Sequence, residues 1–104
     1  MNKQANNLKT LSTDTCPSLS GKSTLRYSIG TDDNNIYITL LSNSNPGQFN
    51  SEQILLDDII KLLSKVSPTS NITSVHLSSL YRGSSSNNAG FMLAILKDLG
   101  IVMQ

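Results

Sequence analysis

Cysteine is almost absent from this chain, which contains a single one, Cys16, among 104 residues. One cysteine excludes an internal disulfide and any zinc site built from several thiolates. Histidine is equally scarce, since His76 is the only one. Cys16 and His76 therefore form the only combination that could supply a thiol–imidazole pair. Cys16 falls in a polar segment that we expect to be mobile, where no base is held beside it. We interpret Cys16 as an incidental thiol, place His76 on the polar face of a strand, and expect neither a metal ion nor a cofactor.

Charged side chains are also few, at 14% of the residues, whereas about a quarter is typical of soluble domains. Eight Lys and Arg nearly balance seven Asp and Glu, which leaves a net charge of +1. Proteins that neutralise nucleic-acid phosphates usually carry a basic excess or a basic run. The composition therefore gives nucleic-acid binding little support. The polarity of the chain comes instead from uncharged side chains, 17 Ser and 11 Asn.

Long apolar runs are missing as well. No stretch approaches the roughly 18 apolar residues of a membrane span, and the beginning of the chain lacks the apolar core of a signal peptide. We therefore expect a soluble, cytoplasmic protein that does not associate with membranes. The length fits one domain, and the large apolar residues are concentrated after Thr24. The sequence predicts a flexible polar N-terminal arm over residues 1–20 and a single α+β domain over residues 21–104.

Two strands and two helices can be read from the periodicity of the apolar residues. Residues 24–30 and 36–41 alternate apolar and polar side chains on either side of an Asp- and Asn-rich turn, which predicts a β-hairpin with a four- or five-residue loop. A helix should begin after Asn50 or Ser51 and end before Pro68. The last helix should follow Asn87 or Asn88 and end at Gly100, which has the position of a C′ glycine.

The last helix is apolar almost all round. Its sequence after Asn88 reads AGFMLAILKDL, and only Lys97 and Asp98 interrupt the apolar pattern. A helix of this kind is buried on several sides, or its extra apolar surface meets another subunit. Self-association into a homodimer is therefore one form that the function of this chain could take.

The segment 72–82 can be read in two ways. Thr73, Val75 and Leu77 alternate with polar residues as in a strand, and this pattern favours a strand over 72–78. The element order is then ββαβα, an α+β fold with a small antiparallel three-stranded sheet in the order 2-1-3 and two helices on one face. Leu77, Leu80 and Tyr81 also stand at helical spacing. A helix here would give a β-hairpin plus three helices, and the ending NNAGFMLAILKDLGIV resembles the close of a winged-helix domain.

The letters GKST at positions 21–24 match the end of a phosphate-binding loop. The full motif needs a glycine where this chain has Cys16, and it lies between a buried strand and a helix. Here the residues that follow Thr24 form a strand pattern, so the backbone cannot wrap a phosphate at a helix N-terminus. We interpret GKST as the entrance to a strand.

The segment 82–91 is the candidate site that we single out. It combines an arginine, small hydroxyl side chains and the N-terminus of the last helix, where backbone N–H groups and a guanidinium could receive an anion or a partner. The candidate residues are Arg82, Ser84, Ser85, Ser86, Asn87 and Asn88.

The leading functional hypothesis is a non-catalytic binding or protein-interaction module. An alternative is a nucleic-acid-binding accessory protein that uses the 82–91 loop and helix N-terminus. A small enzyme is the second alternative, and it is disfavoured because no nucleophile, base and orienting group stand together in the sequence.

Overall fold

The computed structural model describes residues 9–32, 34–44, 49, 51–67, 69–81 and 87–102. Within these residues the chain is an α+β protein, which confirms the predicted class. Its elements, in chain order, are β1 (Lys9–Pro17), β2 (Thr24–Asp32), β3 (Asn35–Asn43), β4 (Ile54–Leu55), α1 (Leu56–Leu63), a 3₁₀ helix (Ser74–Leu80) and α2 (Asn87–Asp98).

The described strands form one antiparallel sheet in the order β1-β2-β3-β4. The predicted hairpin is confirmed as β2 and β3, but it is tighter than expected because Asp32 pairs with Asn35. The Thr31 hydroxyl donates a hydrogen bond of 2.7 Å to the Asn35 carbonyl and so supports this turn. Every strand pairs with its neighbour in sequence, so the predicted order 2-1-3 is wrong.

Strand β1 lies inside the segment 1–20 that we expected to be a flexible arm. Eight of its nine residues are exposed and only Cys16 is buried, which explains why the sequence shows no apolar alternation there. The strand is held by backbone pairing along β2, for example Thr13 with Ser28 and Cys16 with Leu25. Backbone pairing does not require apolar side chains. The structure thus differs from the predicted arm at residues 9–17, and residues 1–8 lie outside the described residues.

Among the described strands β1 lies at one edge of the sheet, and two of its outward backbone N–H positions are not available to another strand. The Ser18 N–H donates to the Ser23 carbonyl at 2.9 Å, so the antiparallel alternation turns the backbone groups of Thr13, Thr15 and Pro17 towards the edge. The Thr15 N–H is already donated to the Asp14 carboxylate at 2.9 Å, and Pro17 has no N–H to offer. Charge and proline on an edge strand discourage edge-to-edge association.

Replacing Asp14 by alanine is expected to promote self-association, because the Thr15 N–H then becomes available to a second chain. The measurement is sedimentation velocity over a range of protein concentrations. Asp58→Ala is the matched control, since it removes one exposed carboxylate from α1 and changes the net charge equally. Equal self-association of the two variants would show that the net charge, rather than the hydrogen bond between the Thr15 N–H and Asp14, controls self-association.

The predicted third strand over 72–78 is wrong, because residues 74–80 form the 3₁₀ helix. In a strand, Val75 and Leu77 would share one face, but Val75 is 76% exposed and Leu77 is fully buried. A capping box at the start of the helix fixes the turn: the Thr73 N–H donates to His76 Nδ1 at 2.9 Å. The helical alternative for this segment is the correct one, and β4 takes the remaining place in the sheet.

The first α-helix begins later than predicted. Ile54 and Leu55 form β4, pairing with Ile38 and Tyr37 of β3, and helix α1 starts only at Leu56. The predicted start near Ser51 is therefore wrong, and the alternative cap, Asn50, lies outside the described residues. This pairing makes Ile54 part of the sheet, and its side chain belongs to the hydrophobic core.

Helix α2 is the centre of the core. Seven of its twelve residues are buried, and it packs against the 3₁₀ helix, β1 and β2. Gly100 adopts a φ of 78°, its N–H donates to the Lys97 carbonyl, and the Ile101 N–H donates to the Leu96 carbonyl. This is a Schellman motif, so the predicted C′ role of Gly100 is confirmed. The broad apolar surface of α2 is explained by burial within one chain, and the homodimer stays a prediction.

Candidate functional site

The GKST segment forms the hairpin loop that joins β1 to β2. Gly21 has a φ of 76°, a conformation that glycine adopts without strain. The Gly21 N–H donates to the Ser18 carbonyl, the Lys22 N–H to the Ser20 hydroxyl at 3.3 Å, and the Ser23 N–H to the Ser18 hydroxyl at 3.2 Å. Three successive N–H groups are thus bonded within the loop, and β2 follows at Thr24. The interpretation of GKST as a strand entrance is confirmed.

This loop forms one wall of an open groove of about 390 Å³. A second wall comes from the first turn of α2, and the end of β3 and the start of the 3₁₀ helix also line the groove. Four elements that are distant in sequence therefore converge on one cavity. The residues that line it are Ser18, Leu19, Ser20, Ser23, Asn43, Ser74, Asn87, Gly90 and Phe91.

The described lining of the groove is polar and uncharged. Its lining contains four serine hydroxyls and two asparagine amides, all of which can donate and accept hydrogen bonds. Leu19 and Phe91 add apolar surface. None of the described lining residues carries a charge. Lys22 belongs to the same loop and is exposed, but it does not line the groove.

The site residues predicted from the sequence are divided by the structure. Arg82, Ser84, Ser85 and Ser86 lie outside the described residues, so their part of the prediction stays a prediction. Asn87 lines the groove.

Asn88, the last predicted site residue, is turned into the protein instead. It is only 1% exposed and makes a side-chain hydrogen bond with Tyr81. Burial, followed by the Glu52 carboxylate, raises the pKa of the Tyr81 phenol, and the bond from Asn88 opposes this rise. Asn88 therefore stabilises the start of α2 from within the protein and does not line the groove.

Sequence reasoning missed most of the lining. In sequence the serines of the hairpin loop stand out only through the likeness of GKST to a phosphate loop, and Asn43 and Ser74 do not stand out as site residues. One signal was available, because Gly90 interrupts a helical pattern at a position where alanine would make the helix more stable.

Cys16 lies close to a second group of polar side chains, which consists of Tyr27, Asp98 and Asp14. The Tyr27 hydroxyl donates a hydrogen bond of 2.7 Å to Asp98 Oδ2, which ties β2 to the end of α2. Burial, then the carboxylates of Asp98 and Asp14, raise the pKa of the Cys16 thiol from 9.0 to about 11. A thiol with a raised pKa is a poor nucleophile near neutral pH, because it is the thiolate that reacts. The arrangement favours a structural role for Cys16.

The raised thiol pKa predicts a loss of stability in alkali. Between pH 9 and pH 11 the thiol of the unfolded chain loses its proton before that of the folded chain, so unfolding releases a proton and the free energy of unfolding falls as pH rises. We expect a shallower fall in Cys16→Ala, measured by urea denaturation at several pH values. The tyrosines, which also titrate in alkali, are common to both proteins. An identical dependence of the free energy of unfolding on pH in the two proteins would contradict the raised pKa of the Cys16 thiol.

His76 is engaged in local structure. Its Nδ1 accepts the Thr73 N–H at 2.9 Å and lies 3.3 Å from the Thr73 hydroxyl. The ring therefore replaces the acidic residue that usually completes a capping box. Among the described residues, no group of three or more His, Cys, Asp and Glu side chains is placed to hold a metal ion, and no helix has the length and hydropathy needed to cross a bilayer.

Comparison of the chain with protein-family models, curated proteins and solved structures finds no match. The geometry of the groove is therefore the basis for the functional proposal.

Proposed function

We propose that this chain is a non-catalytic binding module and that the groove between the β1–β2 loop and α2 is its ligand site. The main support for this proposal is that four chain segments converge on a cavity of about 390 Å³. Small-molecule sites have volumes of about 300–1,000 Å³. The groove is thus of the size that holds a small polar ligand, and its hydroxyl and amide groups can orient one.

The positions of Cys16 and His76 support the non-catalytic part of the proposal. The Cys16 thiol is 4% exposed and has a raised pKa. His76 Nδ1 accepts a hydrogen bond from the backbone N–H of Thr73, which caps the 3₁₀ helix. Neither side chain lines the groove, so the two residues best suited to nucleophile and base chemistry lie away from the ligand that we propose.

The lining residues that the structure describes are uncharged, which favours a small ligand over a nucleic acid. A protein that holds a phosphate backbone does so mainly with Lys and Arg, and the described lining residues include neither. The nucleic-acid alternative depends on Arg82, which lies outside the described residues.

A thermal-shift experiment with two leucine variants tests the proposal. Leu19 lines the groove and is 51% exposed, whereas Leu41 is 40% exposed on β3 and does not line it. Leu19→Ala should reduce the rise in Tm that a bound ligand produces, and Leu41→Ala should leave it unchanged. The probes are neutral mono- and disaccharides, inorganic phosphate, and short single-stranded DNA and RNA at low and high salt. Equal effects of the two variants, or a response to nucleic acid alone that high salt abolishes, would contradict the proposal.

A further inference from the structure

Gly90 is a helical glycine for which the described residues show no steric requirement. It lies inside α2, where glycine is destabilising relative to alanine because it loses more conformational freedom on folding. Among the described residues, the glycines with positive φ are Gly21 and Gly100, so Gly90 has an ordinary helical backbone. Apart from its chain neighbours and its own helix backbone, a Cβ atom built on Gly90 would meet no atom of the described residues within 4 Å. Among these residues, neither backbone conformation nor packing explains the absence of a side chain.

The space beside Gly90 belongs to the groove. Gly90 lines the cavity together with Asn87, which lies three residues earlier on the same side of the helix, and with Phe91. The missing side chain therefore leaves helix backbone accessible to a molecule in the groove. Glycine at this position weakens the helix and widens the cavity. A departure from helix propensity of this kind is expected at a binding site, where function takes precedence over local stability.

The rest of the lining indicates the chemistry of that molecule. Serine hydroxyls and asparagine amides both donate and accept hydrogen bonds, which matches a ligand that carries several hydroxyl groups. A ligand of high negative charge would meet no cationic side chain among the described lining residues. Phe91 and Leu19 supply apolar surface for the carbon skeleton of such a ligand.

We infer that the groove binds a neutral, hydroxyl-rich small molecule of the saccharide class, with one face of the ligand against Gly90 and Phe91. The inference rests on the proposed function, because it names the ligand class of the same groove. It predicts that the size of the side chain at position 90 controls affinity while the fold is unaffected.

The test compares the wild-type chain with Gly90→Ala and Gly90→Leu. Both substitutions replace glycine by a better helix former, so Gly90→Ala should raise Tm by about 4 °C and both variants should fold. Dissociation constants for neutral mono- and disaccharides are measured by ligand-detected NMR. Gly90→Leu should weaken binding by a factor of about 10 or more, since its side chain occupies the space of the ligand. Lys61→Leu, which adds the same side chain to the exposed surface of α1, should bind as the wild type does.

Binding of inorganic phosphate and of a sugar phosphate is measured as well. These two probes distinguish the location of the ligand site from the chemical class of its ligand. Phosphate binding that Gly90→Leu weakens, with no binding of neutral saccharides, would overturn the ligand class and leave the groove as the site. Saccharide binding that Gly90→Leu does not change would also overturn the inference. Failure of every probe to bind would contradict the inference and the proposed function together.

Discussion

Leu96→Ala should lower the free energy of unfolding by about 2–5 kcal/mol, the usual cost of truncating a buried leucine. Leu96 is fully buried in α2, at the centre of the core. Its backbone carbonyl also accepts the N–H groups of Ile101 and Val102 at 2.9 and 3.2 Å, so the cavity opens beside the end of the helix. Domains of this size have a stability of about 5–15 kcal/mol, and the substitution should remove a large part of it. The measurement is urea denaturation followed by circular dichroism.

Ile60→Ala provides the matched control for this prediction. Ile60 is an aliphatic residue of α1 that is 50% exposed, and surface substitutions usually change stability by about 0.5 kcal/mol or less. A similar loss in the two variants would show that α2 is not the element around which the core is built.

The second large effect is expected from Tyr27→Phe. The Tyr27 hydroxyl donates to Asp98 Oδ2 at 2.7 Å, and a hydrogen bond to a charged group contributes about 1.5–3 kcal/mol. Tyr27 is 1% exposed, so phenylalanine keeps the buried ring and removes only the hydroxyl. Asp98 is exposed and regains water when the bond is lost. We therefore expect the free energy of unfolding to decrease by an amount near the lower end of this range, measured by chemical denaturation.

A double-mutant cycle isolates this hydrogen bond. Tyr27→Phe, Asp98→Asn and the double variant are compared with the wild type, and the coupling energy should be about 1 kcal/mol in favour of the native pair. Additive effects of the two substitutions would mean that the bond does not connect β2 to α2 in solution.

The parts of the fold that could be predicted from sequence are those whose side chains follow a single period. The β2–β3 hairpin and α2 were predicted because their apolar residues are buried as the pattern requires. β1 could not be predicted, since eight of its nine residues are exposed and the strand is specified by backbone pairing. Residues 72–78 gave a misleading strand pattern, because Val75 is exposed and the capping box of Thr73 and His76 fixes a 3₁₀ turn instead.

The candidate site was predictable only in part, for a topological reason. The sequence indicated the start of α2, and Asn87 does line the groove. The other wall is the loop at residues 18–23, and its position depends on the pairing of β1 with β2, which the sequence did not reveal. Asn88 looked equivalent to Asn87 in sequence, yet the helical turn places it in the core beside Tyr81.

The β1–β2 loop and the start of α2 together form the ligand site that we propose. An amide chemical-shift titration of the wild-type chain with neutral disaccharides, followed by inorganic phosphate, tests whether they act as one site. The amides of Ser20, Ser23, Asn87 and Phe91 should shift together with a single dissociation constant, while that of Ile60 should not move. Shifts confined to one wall of the groove, or none in either wall, would contradict this proposal.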